Sequence, residues 1–500
     1  MYARRPAAPT PSAPGRPAPP PTRPRRDRLM SRNDRNRVGR RGFLAGAAAV
    51  AAAGAAPALG ALAAATPAAA APAAGRPNIL VILTDDQPKQ TEWATPKTVG
   101  WLADHGVRFS GGHVATPLCA PSRSSIFSGR QAHNHGVLDN SSPYNLDQNT
   151  TVQRYLKQAG YRTGLFGKYL NAWHAADNPP HFEEWLLESP VVYNDGTWND
   201  NGTLRTIPGY STTVIKNRTL AFLDKAATDT RPWFAFVAPK ASHEPNTPEA
   251  KYADTAVPAW NGRPGVTEPD RSDKPDFIQN ATGTLADAQA LRRRQLRTLL
   301  SVDDAVQAIH DKLAALGQLD NTLVFYLGDN GYTWADHGWL KKSVPYRPSI
   351  EVPFYVSWPA GGLGAGTVDD RIVANIDIAP TILDAAGITP DTPHDGHSLL
   401  TGYRRDHLLI EWWKHGTAAG GPHTWSSYVS DTKQYTEYYK IHTDAAGKPV
   451  GTGEVLFREY YDLVGDPHQL TNLLYQATPQ TEQQLGIPAL AAALAADRSA

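Results

Sequence analysis

Short apolar runs that end in polar residues constrain the fold of this 500-residue chain more than any other feature. The run Asn78–Thr84 is apolar between its ends, as a strand buried on both faces of a parallel sheet must be. Trp233–Ala238 and Thr322–Leu327 have the same character. Helix-like segments alternate with these strands from residue 77 onward. The pattern predicts an α/β fold in which helices sandwich a mostly parallel sheet.

Periodicity predicts the main helices and a change of architecture near the C-terminus. Thr151–Ala159 and Arg292–Leu316 place apolar residues near helical spacing, and each segment is followed by a glycine. From about residue 385 the pattern shifts to aromatic, β-like stretches within 411–442, and a last strand and turn are predicted within 460–474. These features predict a smaller C-terminal α+β subdomain.

Polar side chains follow two of the predicted strands at the point where each strand ends. Asp85 and Asp86 come directly after the first, and Asp329 and Asn330 follow the third. Ligands bind at the carboxyl edge of a parallel sheet. Three carboxylates and one amide suit Ca²⁺ or Mg²⁺, not a metal that prefers thiolate or imidazole. Either pair alone is explained as well by a turn or a helix cap, whereas the two pairs together predict a hard-cation site.

Cys119 is the only cysteine, which excludes an internal disulfide. Pro121 is well placed to begin a helix, and this would put Cys119 at the positive helix N-terminus with Arg123 one turn on. Such an arrangement is an anion-binding site that holds a potential nucleophile. The alternative interpretation is a buried, inert thiol.

The N-terminal region has the composition of an export signal, not of a folded domain. Residues 1–29 are predicted to be disordered or to precede the true start codon, because they are rich in Pro, Arg and Ala. Residues 30–75 contain a basic stretch, the pair Arg40-Arg41 and an Ala-rich run, which is typical of a twin-arginine signal. The run is interrupted by prolines and lacks cysteine, so we expect no stable membrane anchor. A secreted protein exported by the twin-arginine route is predicted, with an ordinary secretory signal as the alternative.

The segment around the cysteine resembles a known family signature. Cys119-Ala-Pro-Ser-Arg123, followed by Gly129-Arg130, is similar to the motif of the type I, formylglycine-dependent sulfatases of the alkaline phosphatase-like superfamily. The resemblance extends over residues 77–475. Further segments that resemble the family are Pro77–Asp86, Gly160–Lys168, Pro239–Pro245, Asp329–Gly331, His337–Pro353, Asn375–Asp384, Asp395–Leu399 and 461–473. The resemblance implies a sulfatase catalytic domain over 76–384 and a C-terminal subdomain over 385–490.

The resemblance also implies roles for individual residues. A separate maturing enzyme would convert Cys119 to formylglycine, whose hydrate would be the nucleophile. Arg123 would stabilise the hydrate, Lys168 and Lys342 would hold sulfate oxygens, and His243 would serve the leaving-group oxygen. The implied metal, Ca²⁺ with Mg²⁺ as the alternative, would be bound by Asp85, Asp86, Cys119, Asp329 and Asn330. One hydroxyl of the hydrate would attack sulfur, and the other would later re-form the aldehyde and expel sulfate.

Two positions depart from the family pattern or leave it ambiguous. Many sulfatases have a histidine two residues after the first lysine, whereas this chain has Leu170 there. His174, another histidine or a water molecule would then have to act as the base. The sequence Gly167-Lys-Tyr-Leu-Asn171 is similar to that of the N-acetylglucosamine-6-sulfatase and arylsulfatase branch. This similarity favours a substrate in which the sulfate is attached to a sugar or an aryl alcohol. Lys341 and Lys342 are adjacent, so the choice of the second lysine depends on alignment.

Three functions are compatible with these observations. The first is sulfuric ester hydrolysis of a sulfated small molecule or glycan. The second is phosphodiester or phosphonate monoester hydrolysis on the same scaffold. The third is a catalytically dead protein that binds sulfated glycans. A formal net charge of +1 argues against nucleic acid as a partner.

Overall fold

The computed structural model describes residues 75–188, 192–414, 421–443 and 449–500. The predicted disordered segment and export signal lie outside these residues. Within them, ten strands form one sheet in the order β10-β2-β9-β8-β1-β7-β3-β4-β5-β6. The strands are β1 Asn78–Thr84, β2 Val107–His113, β3 Arg162–Gly167, β4 Glu184–Glu188, β5 Thr197–Asp200, β6 Thr203–Thr206, β7 Trp233–Ala238, β8 Thr322–Gly328, β9 Phe354–Ser357 and β10 Thr367–Ala374.

Helices cover both faces of this sheet. They are α1 Pro96–Thr98, which continues as a wider turn over Val99–Ala103, α2 Cys119–Ser128, α3 Ala132–His135, α4 Val152–Gln158, α5 Ser211–Ala226, α6 Asp276–Gln279, α7 Leu285–Ala315, α8 Arg347–Ile350, α9 Ile378–Ala385, α10 Pro479–Leu485 and α11 Ile487–Asp497. Short 3-10 turns occupy Glu92–Ala94, Pro143–Asn145, Gln148–Thr150, Ala250–Tyr252, Pro264–Val266, Pro359–Gly361 and Asn375–Asp377.

Strand β1 shows why both faces must be covered. Ile79, Val81 and Leu83 pack into the core on the face of α2, α4 and α9. Leu80 and Ile82 pack into the opposite core with α5 and α7. Because side chains alternate along a strand, a continuous apolar run needs an apolar layer on each side. The predicted α/β fold with a mostly parallel, helix-sandwiched sheet is confirmed.

Strand polarity brings the ends of five neighbouring strands to one edge. Strands β8, β1, β7, β3 and β4 are mutually parallel. The strands β5 and β9, which flank this group, run antiparallel to it. The register pairs Thr84 with Gly328 and Gly167 with Ala238, so β1 and β3 end level with their neighbours β8 and β7. The residues that follow these strands therefore share one edge.

A second sheet of four antiparallel strands forms the C-terminal part, as predicted. Its strands are β11 Leu408–Trp412, β12 Thr424–Val429, β13 Lys433–Thr443 and β14 Pro449–Asp462. The last strand begins before the predicted 460–474 segment. The apolar side chains Leu490 and Leu494 of α11 pack on Tyr435 of this sheet. No described helix is both long and apolar enough to cross a membrane.

Candidate active site

Polar residues from five strand ends meet at the carboxyl edge of the large sheet. Adjacent parallel strands in the order β8-β1-β7-β3-β4 end there. The polar residues at or just beyond these ends are Asp329, Asp85, Lys240, Lys168 and Glu188. Helix α2 begins at the same place, with Cys119 as its first residue. The structure thus gathers residues that are far apart in the sequence.

Cys119 lies fully buried between a carboxylate and an ammonium group. Its Sγ lies 3.4 Å from Asp85 Oδ1, and Lys342 Nζ donates a hydrogen bond to Sγ at 2.7 Å. Burial, together with the charge of Asp85, raises the pKa of the Cys119 thiol to about 12. The unmodified side chain is therefore an uncharged thiol at neutral pH, and a thiol is a poor nucleophile compared with a thiolate.

Arg123 joins three parts of the site from one turn further along α2. Its Nε donates to Asp329 Oδ2 at 2.8 Å, and its Nη1 donates to the Lys168 carbonyl at 2.9 Å. Its Nη2 lies 3.7 Å from Asp85 Oδ2. Because Arg123 is fully buried, its charge acts in a low dielectric and fixes both the carboxylates and the backbone that carries Lys168.

Each aspartate after β1 is paired with one lysine. Lys168 Nζ donates to Asp85, and Lys342 Nζ donates to Asp86. Burial opposes ionisation of Asp85, yet the positive charge of Lys168 and its neighbours holds the pKa of this carboxyl well below its usual range. With Arg123 and Asp329 included, three cations balance three carboxylates. A divalent cation bound here would leave the site positive, as an anionic substrate requires.

The donor atoms at this edge fit a hard divalent cation. Ligand atoms of Asp85, Asp86, Cys119 and His243 lie within 4.8 Å of one another. Asp329 lies beside this group, where its Oδ1 accepts a hydrogen bond from the Asp86 N–H and its Oδ2 accepts one from Arg123. Asn330 Nδ2 donates to Asp86 Oδ1 at 2.7 Å, whereas Asn330 Oδ1 is buried and accepts no hydrogen bond from the described residues. A buried, unpartnered amide oxygen among carboxylates is what a bound Ca²⁺ or Mg²⁺ would satisfy.

A cavity of about 380 Å³ opens beside these groups. Asp85, Lys168 and His243 line it, and so does Leu170 at the position where the family pattern has histidine. His174, considered as a substitute, is exposed and lies 3.8 Å from Asp177 instead. Among the described residues, His243 is the histidine that lines this cavity.

His243 is held in a defined orientation beside the carboxylates. Its Nδ1 lies 2.9 Å from the Glu244 carbonyl oxygen and therefore acts as the donor. Its Nε2 lies 3.8 Å from Asp86 Oδ2. Nε2 is consequently the ring nitrogen that can exchange a proton with a group in the site.

The structure separates the two adjacent lysines. Lys342 reaches Cys119 and Asp86, whereas Lys341 is exposed and lines a different cavity with Trp339 and Lys414. The C-terminal sheet fixes this arrangement, because Trp425 Nε1 donates to the Ser343 carbonyl at 2.9 Å. Lys342 is therefore the lysine that the fold brings to the site.

The sequence resemblance implies a sulfate ester as the substrate. Replacing Lys342 with Met is then expected to lower kcat/KM for such an ester by roughly 10²- to 10³-fold, because a largely buried positive charge beside residue 119 is lost. Lys341→Met is the matched control and should stay within about threefold of wild type, since exposed charges act weakly. Steady-state kinetics with an aryl sulfate, supported by circular dichroism, checks both variants. Equal losses in the two variants would contradict the assignment of Lys342.

Two ionisable residues that line the cavity, Lys240 and Glu188, were not among the predicted site residues. Lys240 lies in the proline-flanked segment that contains His243, two residues beyond β7, and its Nζ lies 5.4 Å from the centre of the Tyr193 ring. Glu188 ends β4, an element that the sequence patterns did not reveal. The sequence signal that could have identified Lys240 as a site residue is its position just beyond a predicted buried strand.

Comparisons with known proteins agree with this geometry. A family model described as Sulfatase matches residues 77–388, and one for the C-terminal region of N-sulphoglucosamine sulphohydrolase matches residues 335–487. Human N-acetylglucosamine-6-sulfatase is 31% identical over 462 residues, which cover 82% of this chain and 83% of the relative. An extracellular sulfatase homologue of Drosophila melanogaster is 34% identical over 65% of this chain. The match spans only 31% of that longer relative.

Solved structures share the fold. A complex of a protein with its substrate D-glucosamine-2-N,6-O-disulfate superposes with a TM-score of 0.70 at 22% identity, covering 85% of this chain and 98% of that one. Phosphonate monoester hydrolase of Agrobacterium radiobacter gives a TM-score of 0.65 at 21% identity, covering 85% and 96%. At these identities the likeness concerns the fold alone, so the family follows from the sequence matches. The Sulfatase model spans more than half of the chain and includes the buried Cys119 with its surrounding charges, so the chain belongs to the sulfatase family.

Proposed function

We propose that this protein is an exported sulfatase that uses formylglycine, formed from Cys119, and a calcium ion to release sulfate from a sugar alcohol. The observation that carries the proposal is the convergence on residue 119 of a helix N-terminus, Asp85 and Lys342. Burial raises the pKa of the unmodified Cys119 thiol, which favours its uncharged form, and a thiol is a poorer nucleophile than a thiolate. The names of the glucosamine-6-sulfatase relatives support a sugar 6-sulfate as the substrate.

The chemistry that the two implied groups would supply is limited and specific. Calcium, held by Asp85, Asp86, residue 119, Asp329 and Asn330, would add positive charge where an anionic ester must be attacked. Hydrated formylglycine would supply one hydroxyl for attack and another for sulfate release. The alternative metal is Mg²⁺. A formylglycine-generating enzyme of the host would be required for maturation.

The side chains of this chain provide binding and proton transfer. Lys168 and Lys342 would each exchange a carboxylate partner for a sulfate oxygen, which places two cations on the group that receives the nucleophile. Arg123 would hold residue 119 and the carboxylates in register through its contacts with Asp329. In its imidazolium form, His243 would donate the Nε2 proton to the departing sugar oxygen and keep the Nδ1 proton on the Glu244 carbonyl.

Substrate panels separate this function from its nearest alternative, since the phosphonate monoester hydrolase has the same fold. We expect the matured enzyme to hydrolyse sulfate monoesters with a higher kcat/KM than matched phosphonate monoesters and phosphodiesters. Glucosamine-6-sulfate and an aryl sulfate should both release sulfate, measured by ion chromatography. A higher kcat/KM for the phosphorus esters would overturn the proposal, and binding of sulfated glycans without any turnover would indicate a dead enzyme.

Export remains part of the proposal. The extracellular sulfatase homologues among the relatives favour it, and the twin-arginine pair lies outside the described residues. Fractionation of cells that express the full chain tests the twin-arginine route. The wild-type chain should be exported, and the variant with Arg40 and Arg41 both replaced by Lys should stay inside the cell.

A further inference from the structure

Glu188 is a buried carboxyl group whose hydrogen-bonding capacity is only half used. Only 3% of the residue is exposed at the end of β4. One side-chain oxygen, Oε1, accepts the Val192 backbone N–H at 2.8 Å. The other, Oε2, has no hydrogen-bond partner among the described residues. A buried polar atom without a partner is costly, so a ligand that supplies one would be bound favourably.

Glu184 on the same strand shows what a structural glutamate looks like here. It is also largely buried, but its carboxylate is paired with Arg162, Arg218 and Lys225. Glu188 lines the cavity beside Asp85 and Lys168, whereas Glu184 does not. The difference indicates that Glu188 faces a space that another molecule can enter.

The surroundings of Glu188 favour its uncharged form. Burial raises its pKa to about 8, although the Val192 N–H and the positive charges of Lys240 and Lys168 oppose this rise. At neutral pH the carboxyl group is therefore mainly protonated and offers both a donor and an acceptor. Such a group suits a hydroxyl or an amine, which can also donate.

The cavity that Glu188 lines also has an apolar wall. Leu170, Leu187 and Trp173 line the same cavity with apolar surface. Trp173 stacks on Tyr144 with ring centres 4.7 Å apart, and its Nε1 donates to the Asp177 carbonyl at 3.0 Å, so the indole is held in place. A fixed aromatic surface with one unsatisfied polar group is typical of small-molecule sites, where few polar groups set orientation.

We propose that Glu188 is a specificity-determining residue, whose free oxygen hydrogen-bonds a hydroxyl or amino group on the sugar ring that bears the sulfate. The inference rests on the proposed function, because Asp85 and Lys168 mark the end of the cavity where the ester is cleaved. Phenyl sulfate has no such group on its ring, so the contact discriminates sugars from simple aryl alcohols. It also explains how a cavity with Leu170 in place of a polar histidine can still orient a polar substrate.

Binding to the full chain in a Cys119→Ala background tests the contact without turnover. Isothermal titration with glucosamine-6-sulfate should show that Glu188→Leu raises Kd about tenfold, the cost of one lost hydrogen bond in a buried site. Glu188→Gln, which keeps a donor and an acceptor, should stay within about threefold of the parent. Inorganic sulfate should bind all variants equally, and Glu184→Gln serves as the matched control on the same strand.

A second sugar ligand identifies which group of the sugar contacts Glu188. If Glu188→Leu weakens binding of glucosamine-6-sulfate but not of glucose-6-sulfate, the contact is to the amino group. If the variant weakens binding of both sugars, the contact is to a ring hydroxyl. Either outcome supports the proposal. Unchanged sugar binding in Glu188→Leu, or equal weakening of inorganic sulfate, overturns it. Failure of the proposed function is a separate result, because it would appear as no sulfate release by matured wild-type enzyme.

Discussion

Replacing Cys119 with serine is expected to abolish repeated turnover, lowering kcat by at least about 10⁴-fold, as loss of a nucleophile does in other covalent mechanisms. Serine has one hydroxyl where hydrated formylglycine has two. Its Oγ can take the sulfo group from the ester while the alcohol leaves with a proton. The residue then lacks the second hydroxyl that would expel sulfate, so each molecule should react once.

Mass spectrometry and rapid kinetics check this expectation. Cys119→Ser should release up to one equivalent of alcohol and gain one sulfo group on the peptide that contains residue 119. Cys119→Ala is the matched control and should show neither. In active wild-type enzyme the same peptide should contain an aldehyde, and an unmodified thiol there would refute the formylglycine mechanism. Wild-type turnover by Cys119→Ser would refute it equally.

Removal of divalent cations is expected to lower kcat/KM by about 10²-fold or more, because the charge that screens an anionic ester from an oxygen nucleophile is lost. Calcium should restore activity after treatment with a chelator. EGTA, which prefers Ca²⁺ over Mg²⁺, should inactivate as effectively as EDTA if calcium is the native ion. Restoration by Mg²⁺ alone would identify magnesium instead.

A stability measurement makes the metal prediction independent of turnover. Calcium that binds the folded state should raise Tm in proportion to the logarithm of its concentration above Kd. Asp86→Asn should reduce this calcium-dependent shift, because one ligand charge is lost next to Asn330. Asp370→Asn, an exposed residue paired with Arg404, should retain the full shift. An undiminished shift in Asp86→Asn would place the ion elsewhere.

Local patterns were sufficient for three of the five strands whose ends build the site. The apolar runs of β1, β7 and β8 need no tertiary information, since their short length and continuous apolar character are typical of strands with both faces covered. Helix α7 begins at Leu285, seven residues before the predicted start at Arg292, because Thr284 and Asp287 form a capping box that satisfies its first N–H groups. The helices α10 and α11 were missed, because their Ala- and Gln-rich sequences show little amphipathic pattern.

The remaining site residues depend on long-range pairing. Glu188 and Lys240 approach Asp85 because β7 lies between β1 and β3, with β4 beyond. Strand order reflects crossover connections and the packing of helices on both faces, and no local window of sequence encodes it. The cavity they line was therefore not predictable, although each residue lies at a strand end.

The sequence by itself determined the proposed nucleophile position, the strand-end carboxylates and the family resemblance, because these depend on short motifs and on apolar periodicity. Only the tertiary structure decided between Lys341 and Lys342. Neighbouring side chains project in different directions, and which one reaches Cys119 depends on how the C-terminal sheet anchors the Ser343 carbonyl through Trp425. Only the tertiary structure, likewise, placed Glu188 in the cavity that Leu170 lines, because the two residues lie on different segments that meet at the sheet edge.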